Sequence, residues 1–356
     1  MVSRGAYINA VAGAVPDHDI HQAYIDWART QITDPRLRSL FDRMAERSGI
    51  EHRWSVLPVT PGGGSPVDPG GFYSDRMPGT AERMKLYADS APGLAMVAIE
   101  GLGEQIAFGP ITHLVVASCT GFVAPGIDQI IAARLGLGDV ERTLVGFMGC
   151  YAAVAALRTA FHIVRSEPEA RVLVVTVELS SLHLQPMAEP EPLLASLQFG
   201  DGAAAALVTS DPQGFEMTAQ FNATLPGSDS LIRWTIGDTG FEMTLSGEVP
   251  GRIAAALHEP GVRSRLLDGW AAADVDGWAV HAGGRSILDS VERGLQLAPD
   301  ALDSSRRILA DFGNMSSSTL MFVLADLLGR PEKRRGVAIA FGPGLAAEGF
   351  RFERAG

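Results

Sequence analysis

Three segments of this 356-residue chain recur about half a chain length later. Val115-Val-Ala-Ser-Cys-Thr-Gly121 resembles Trp278-Ala-Val-His-Ala-Gly-Gly284, Gly149-Cys150 resembles Gly313-Asn314, and the run from Leu173 to Glu178 resembles that from Val337 to Gly342. The shifts, 121 to 284, 149 to 313 and 173 to 337, are nearly constant. Such a shift predicts an internal duplication, two similar α/β halves packed about a pseudo-twofold axis. In α/β sheets functional groups collect in the loops after the carboxyl ends of strands. Cys150, His281 and Asn314, on equivalent corners, are therefore predicted to converge on one site.

From Val145 to Leu157 an apolar strand turns into an apolar helix at Gly149-Cys150. Unpaired backbone N–H groups and the positive end of the helix dipole favour a thiolate there, and Gly149 allows close approach of substrate. This predicts a nucleophile, with a small buried core cysteine as the competing reading. Asn314, before Met-Ser-Ser, could instead cap a helix predicted over Ser316 to Leu328, and His281 could be a satisfied core histidine.

A hydrophobic content of 46% is enough to fill a large core, and the duplication divides the chain into an N-terminal half, 1–210, with the cysteine and a C-terminal half, 211–356, with the histidine and asparagine. A net charge of −12 argues against nucleic acid and against an anionic membrane surface. No apolar run approaches a membrane span, and the stretch from Met1 enters a short apolar strand without a signal-length segment. With only two cysteines, Cys119 and Cys150, the expectation is a cytoplasmic protein without a disulfide. No histidine pair has zinc-site spacing, so no metal is expected; His18, His21, His52, His113, His162 and His258 read as surface or capping residues.

Along the chain, a strand near Tyr7 to Val11 leads to helices over about His18 to Thr30 and Arg36 to Ser48. The turn-rich stretch between Thr60 and Thr80 cannot hold a regular element and reads as a surface loop, with a lid as the functional alternative. Arg43 and Arg47 lie one turn apart on the second helix, which by itself suggests a solvated face.

Five motifs in order carry a resemblance to a known family: Gly149-Cys150, Leu197-Gln-Phe199-Gly-Asp-Gly-Ala-Ala204, Val280-His281-Ala-Gly-Gly-Arg-Ser-Ile-Leu-Asp-Ser-Val-Glu292, Phe312-Gly-Asn314-Met-Ser-Ser317 and Phe341-Gly-Pro-Gly344. Over most of its length the chain resembles the type III polyketide synthases, the chalcone synthase-like family of the thiolase superfamily. The resemblance implies a thiolase-like fold in αβαβα layers, acyl-CoA and malonyl-CoA as substrates, and no cofactor. It implies that Cys150 takes the starter acyl group and that decarboxylated malonyl-CoA attacks it. His281 would pair with the thiolate and then, with the side-chain amide of Asn314, donate hydrogen bonds to the thioester oxygen, without a metal. Arg43 and Arg47 occupy the segment that holds coenzyme A phosphates in the family, whose third basic position is Leu40 here. A homodimer is also implied, in which Ala124 lies where a methionine of plant relatives enters the neighbouring subunit.

Departures from the plant pattern bear on substrate. Phe199 matches a gatekeeper between coenzyme A tunnel and cavity, and its partner position is the flexible Met243. Trp234 replaces a glycine, which predicts a pocket too filled for chalcone formation. Ser180 and His183, the latter in place of threonine, follow a strand and are expected along the cavity with Ser316. Cys119 and Thr120 resemble the bacterial branch, which makes alkylpyrones, alkylresorcinols and tetrahydroxynaphthalene. A fatty acyl starter released as an alkylpyrone or alkylresorcinol is expected, and use of malonyl-CoA alone stays open. Ketoacyl synthase III shares the fold, but its usual His-Gln-Ala-Asn setting differs from His281-Ala-Gly-Gly. An acyl-binding scaffold without catalysis is the alternative of another class.

Overall fold

The computed structural model describes residues 5–356; residues 1–4, the start of the stretch read as leaderless, lie outside the described residues. Nine strands form one mixed sheet in the order Gly277–Val280, Arg335–Gly342, Ala346–Arg354, Phe215–Thr224, Ala6–Ala14, Asp201–Thr209, Val172–Leu179, His113–Ser118, Glu141–Gly146. The duplication is visible in the pairing. His113–Ser118 runs parallel to Val172–Leu179, which lies antiparallel to Asp201–Thr209, itself antiparallel to Ala6–Ala14. Gly277–Val280 likewise runs parallel to Arg335–Gly342, followed by antiparallel Ala346–Arg354 and Phe215–Thr224. The halves join where Ala6 to Ile8 pair with Met217 to Phe215. The edge strand Glu141–Gly146 has no counterpart, because between His281 and Asn314 the chain forms the helices Arg285–Leu295 and Asp303–Phe312 instead.

Which faces are apolar decides the layers. Helices Ala152–Ser166 and Ser317–Leu328 lie in the middle and share one buried cluster with strand residues of both halves, Val174 and Ala206 from one, Ala338 and Phe350 from the other. Helix Thr80–Gln105 covers the outer face of the first half. Helices Val249–His258 and Arg285–Leu295 cover that of the second. The chain thus adopts the thiolase-like αβαβα arrangement. Val172–Leu179 is buried throughout because helices cover both of its faces. Ala203 to Ala206 are poor strand formers, yet they alternate between the outer and the middle cluster, where small side chains let helices approach closely. Ser317–Leu328 is apolar on nearly every side, as a helix enclosed by two sheet halves must be.

The predicted helices shift at their ends for local reasons. The first runs His21–Gln31, because the Asp19 carboxylate accepts from the His21 amide at 3.0 Å and His18–Asp19 pairs with Trp54–Ser55. The second runs Pro35–Glu46, with Asp34 capping the Arg36 amide at 2.7 Å and Gly49 in the left-handed region past its end. No helix or strand lies between residues 56 and 79. Among the described residues no helix is long and apolar enough to cross a membrane.

Candidate active site

The turn that carries Cys150 is built around a residue that must be glycine. Gly149 has φ +76°, and a Cβ there would lie 2.4 Å from Cδ of Pro343 in the other half of the molecule. One 3-10 turn, Gly149–Tyr151, then feeds the helix Ala152–Ser166. The duplicated corner repeats this: Gly313 has φ +67°, and beyond it Asn314 precedes Ser316, which takes φ +49° without being glycine. Strain of this kind is held in place by its surroundings. Here Asn314 Oδ1 accepts from the Ser316 amide at 2.9 Å, and a bridge between Phe199 and Asn314 locks the backbone.

Those bonds orient the Asn314 amide. With Oδ1 occupied and one Nδ2 hydrogen given to the Gly283 carbonyl at 3.2 Å, the second Nδ2 hydrogen is available to a substrate oxygen. His281 follows the strand Gly277–Val280, is 1% exposed, and has no hydrogen-bond partner at either ring nitrogen. Cys150, His281, Asn314 and Ser316 all line one chamber of about 60 Å3, together with Cys119, Thr120, Ser180, Phe199, Trp234 and Met243.

Burial governs the charges in this chamber. It pushes the Cys150 thiol up to about 12, aided by the nearby Glu178 carboxylate and opposed by a hydrogen bond with Ser316. It also holds the His281 imidazole down to about 3. Burial thus disfavours either charge alone, so the thiolate–imidazolium pair expected from the helix terminus requires that the two charges form together. Loss of hydration outweighs a dipole whose effect is confined to one turn.

The loop Ser118 to Thr120 ties the chamber together. Cys119 Sγ accepts the Gly149 amide at 2.9 Å, so this sulfur holds the nucleophile's turn, and Thr120 Oγ1 is engaged by Glu178 and by the Leu179 amide. These atoms secure backbone while both residues line the chamber. Trp234 Nε1 donates to the Cys119 carbonyl at 2.9 Å. His183 accepts the Phe241 amide at Nδ1, which leaves Nε2–H to donate to the Thr120 carbonyl at 2.7 Å. Its ring stacks on Phe241 at 4.3 Å, and burial keeps it neutral, down to about 3. Glu178 was not among the residues expected at the site. It is fully buried, pushed up to about 7 by loss of solvent, and accepts from the Cys119 amide, Thr120 and Ser317. A lone acid at the end of Val-Leu-Val-Val-Thr-Val was the available signal, because unpaired acids are rarely buried without a task.

Beyond the chamber lies a second, largely apolar cavity of about 430 Å3. Ser180, Phe199, Trp234 and Met243 line both spaces and form the wall between them. His183 lines only the outer one, with Ser65, Pro66 and Val67, so the turn-rich segment read as a surface loop contributes to the cavity wall. Arg43 and Arg47 line neither space. They are exposed on the helix Pro35–Glu46 and at its end, where Arg285 donates to the Arg47 carbonyl at 3.2 Å. His21 and His113 are buried, not at the surface, His21 because it accepts from Arg53 at 3.0 Å.

Known proteins share this architecture. The C-terminal type III polyketide synthase domain of Steely1, a type I/III hybrid from Dictyostelium, superposes with a TM-score of 0.89 at 26% identity, covering 99% of this chain and 100% of that one. PKS-I from the brown alga Ectocarpus siliculosus gives 0.89 at 28% identity, covering 98% of each. In sequence, the α-pyrone synthesis polyketide synthase-like Pks18 of Mycobacterium tuberculosis is 32% identical over 98% of this chain and 91% of its own length. Type III polyketide synthase C of Arabidopsis thaliana is 33% identical over 77% and 76%. Residues 2–212 match the N-terminal domain of chalcone and stilbene synthases and residues 216–354 the C-terminal domain. With both domains matched and the fold shared throughout, the chain belongs to the chalcone and stilbene synthase family and is a type III polyketide synthase, an acyltransferase acting on coenzyme A thioesters.

Proposed function

We propose that this enzyme condenses malonyl-CoA onto a fatty acyl starter held by Cys150 and releases an alkylpyrone or alkylresorcinol. The pair of cavities carries this reading. A chamber of about 60 Å3 is far below, and an outer cavity of about 430 Å3 within, the roughly 300–1,000 Å3 of sites that enclose small molecules. An acyl chain on Cys150 must therefore cross the shared wall, and Met243, unbranched and with three rotatable bonds, is the member best able to yield. The α-pyrone synthesis in the name of the mycobacterial relative agrees with this product class.

In this mechanism His281 takes the Cys150 proton as the starter thioester arrives, and that proton leaves with coenzyme A as its thiol. Malonyl-CoA then loses carbon dioxide while His281 and Asn314 Nδ2 donate to the oxygen that becomes the enolate. The enolate carbon attacks the acyl-Cys150 thioester and expels the Cys150 sulfur, which then attacks the thioester of the lengthened chain, so that the chain returns to Cys150 and coenzyme A leaves, protonated to its thiol. Arg43 and Arg47, which line neither space, hold the coenzyme A phosphates from the exposed helix Pro35–Glu46 and its end. We also infer a homodimer formed through the edge strand Glu141–Gly146, which pairs on one side only and exposes Leu144, with Phe122 exposed nearby.

The test is mass spectrometry of products from malonyl-CoA alone and with acyl-CoAs of graded length, with Cys150→Ala as the blank. Long-chain pyrones or resorcinols are expected, and Met243→Phe should lower the rate with long starters about tenfold relative to short ones. Product from malonyl-CoA alone would assign the naphthalene type, and a single β-ketoacyl product would assign ketoacyl synthase III chemistry. No product, with Cys150 inert to iodoacetamide, would leave an acyl-binding scaffold.

A further inference from the structure

The helix Pro35–Glu46 turns an apolar stripe to solvent. Leu37, Leu40 and Met44 are 38%, 39% and 47% exposed, while Phe41 and Ala45, about a quarter-turn around the helix, pack with Tyr24, Ala28 and Leu193. Positions 37, 40 and 44 share one helix face over about 10 Å at 1.5 Å per residue. Arg36, Arg43 and Arg47 accompany the stripe, and none of them forms an ion pair among the described residues. The Asp42 carboxylate is taken up by Arg29 at 2.8 Å, and the Arg43 side chain donates to the Ser39 hydroxyl at 2.9 Å.

This face adjoins the site. Arg285, which holds the Arg47 carbonyl, sits between the chamber-lining residues Gly283 and Ile287. The helix Pro190–Ser196, which packs against Pro35–Glu46, gives Pro192, Ala195 and Ser196 to the outer cavity. Arginines alone would suit the phosphates of coenzyme A, but a nucleotide does not cover three alkyl side chains spread along two turns.

We propose that this face docks a carrier protein, one that presents an acidic helix with apolar side chains beside a phosphopantetheine-linked acyl group. The proposal rests on the acyl-starter reading above and names a second donor for the same site. The phosphopantetheine arm is the part of coenzyme A that has to reach Cys150, so one passage serves both donors. Charge selects the partner: a local group of arginines on a chain of net charge −12 attracts a compact acidic helix, whereas an extended anionic membrane meets the repulsion of the whole molecule.

The experiment compares octanoyl-CoA with octanoyl acyl carrier protein as starters for the purified full chain with malonyl-CoA. Both should give product. The double variant Leu37→Gln, Met44→Gln adds no charge and lies outside the residues assigned to coenzyme A. It should lower kcat/KM for the carrier-borne starter about tenfold or more and that for octanoyl-CoA by less than about twofold. Wild-type protein that uses octanoyl-CoA but not the carrier-borne starter would overturn the proposal, as would an equal loss with both donors. Binding of wild type, but not of the variant, to anionic phospholipid vesicles with unchanged carrier kinetics would give the face to a membrane instead. Absence of product from octanoyl-CoA strikes the acyl-starter reading itself and removes this proposal with it.

Discussion

Cys150 lines a small chamber in which burial makes a thiolate costly, and the His281 imidazole in the same chamber has no hydrogen-bond partner among the described residues. The proton acceptance of His281 is then what offsets a thiol pushed up to about 12. His281→Ala should slow alkylation of Cys150 by iodoacetamide at pH 7 about tenfold or more, with a rate that climbs about tenfold per pH unit toward alkaline pH as the thiolate fraction grows. An unchanged rate would remove His281 from the activation of Cys150. Cys119 works at the same scale. Its sulfur is the acceptor for the Gly149 amide, so Cys119→Ala leaves a buried donor unpaired and should cost about 1–3 kcal/mol in chemical denaturation, whereas Cys119→Ser, which keeps an acceptor, should lose less. Equal losses would mean that volume and not the hydrogen bond matters.

At the scale of elements, the corners that carry Cys150 and Asn314 could be read in the sequence because glycine-then-polar at a strand-to-helix turn is a local pattern, and it recurs at Gly149-Cys150 and Gly313-Asn314. Helix ends were less legible: the start at His21 depends on Asp19 and on pairing with Trp54–Ser55, partners more than thirty residues away. The clamp formed by His183 was not legible at all, since its two acceptor and donor contacts lie in separate segments, at Thr120 and Phe241. That clamp gives a pH signature. A histidine held down to about 3 in the folded chain, against 6.5 when exposed, contributes stability that is present above pH 6.5 and lost as pH falls toward 3. Each such residue steepens the loss by at most about 1.4 kcal/mol per pH unit, and His281 adds to it, whereas Glu178, pushed up to about 7, and Asp201, up to about 6, act in the opposite direction. Urea unfolding between pH 6.5 and 4.5 should therefore show a shallower acid loss for His183→Gln than for wild type. An identical slope would mean that the ring is not buried neutral.

For the whole molecule, the two halves close on each other so that Pro343 of one presses on Gly149 of the other, and neither half alone holds the set of Cys150, His281 and Asn314. The free edge Glu141–Gly146 points to a further association. Light scattering should give twice the 37.7 kDa of one chain, and Thr143→Pro, which disrupts a strand edge, should shift the mass toward the monomer. A monomeric wild type would refute the homodimer. The amino-acid sequence by itself determined the duplication, the layered α/β class and the choice of Cys150, His281 and Asn314 as candidates, because each is written in local spacing and in the kind of residue at a turn. Only the tertiary structure decided the desolvation of Cys150 and His281, the anchoring contacts of Glu178, Cys119 and His183, and the division of the interior into two cavities. Those depend on desolvation and on hydrogen bonds between segments far apart in the chain, and neither is set by any residue's neighbours in sequence.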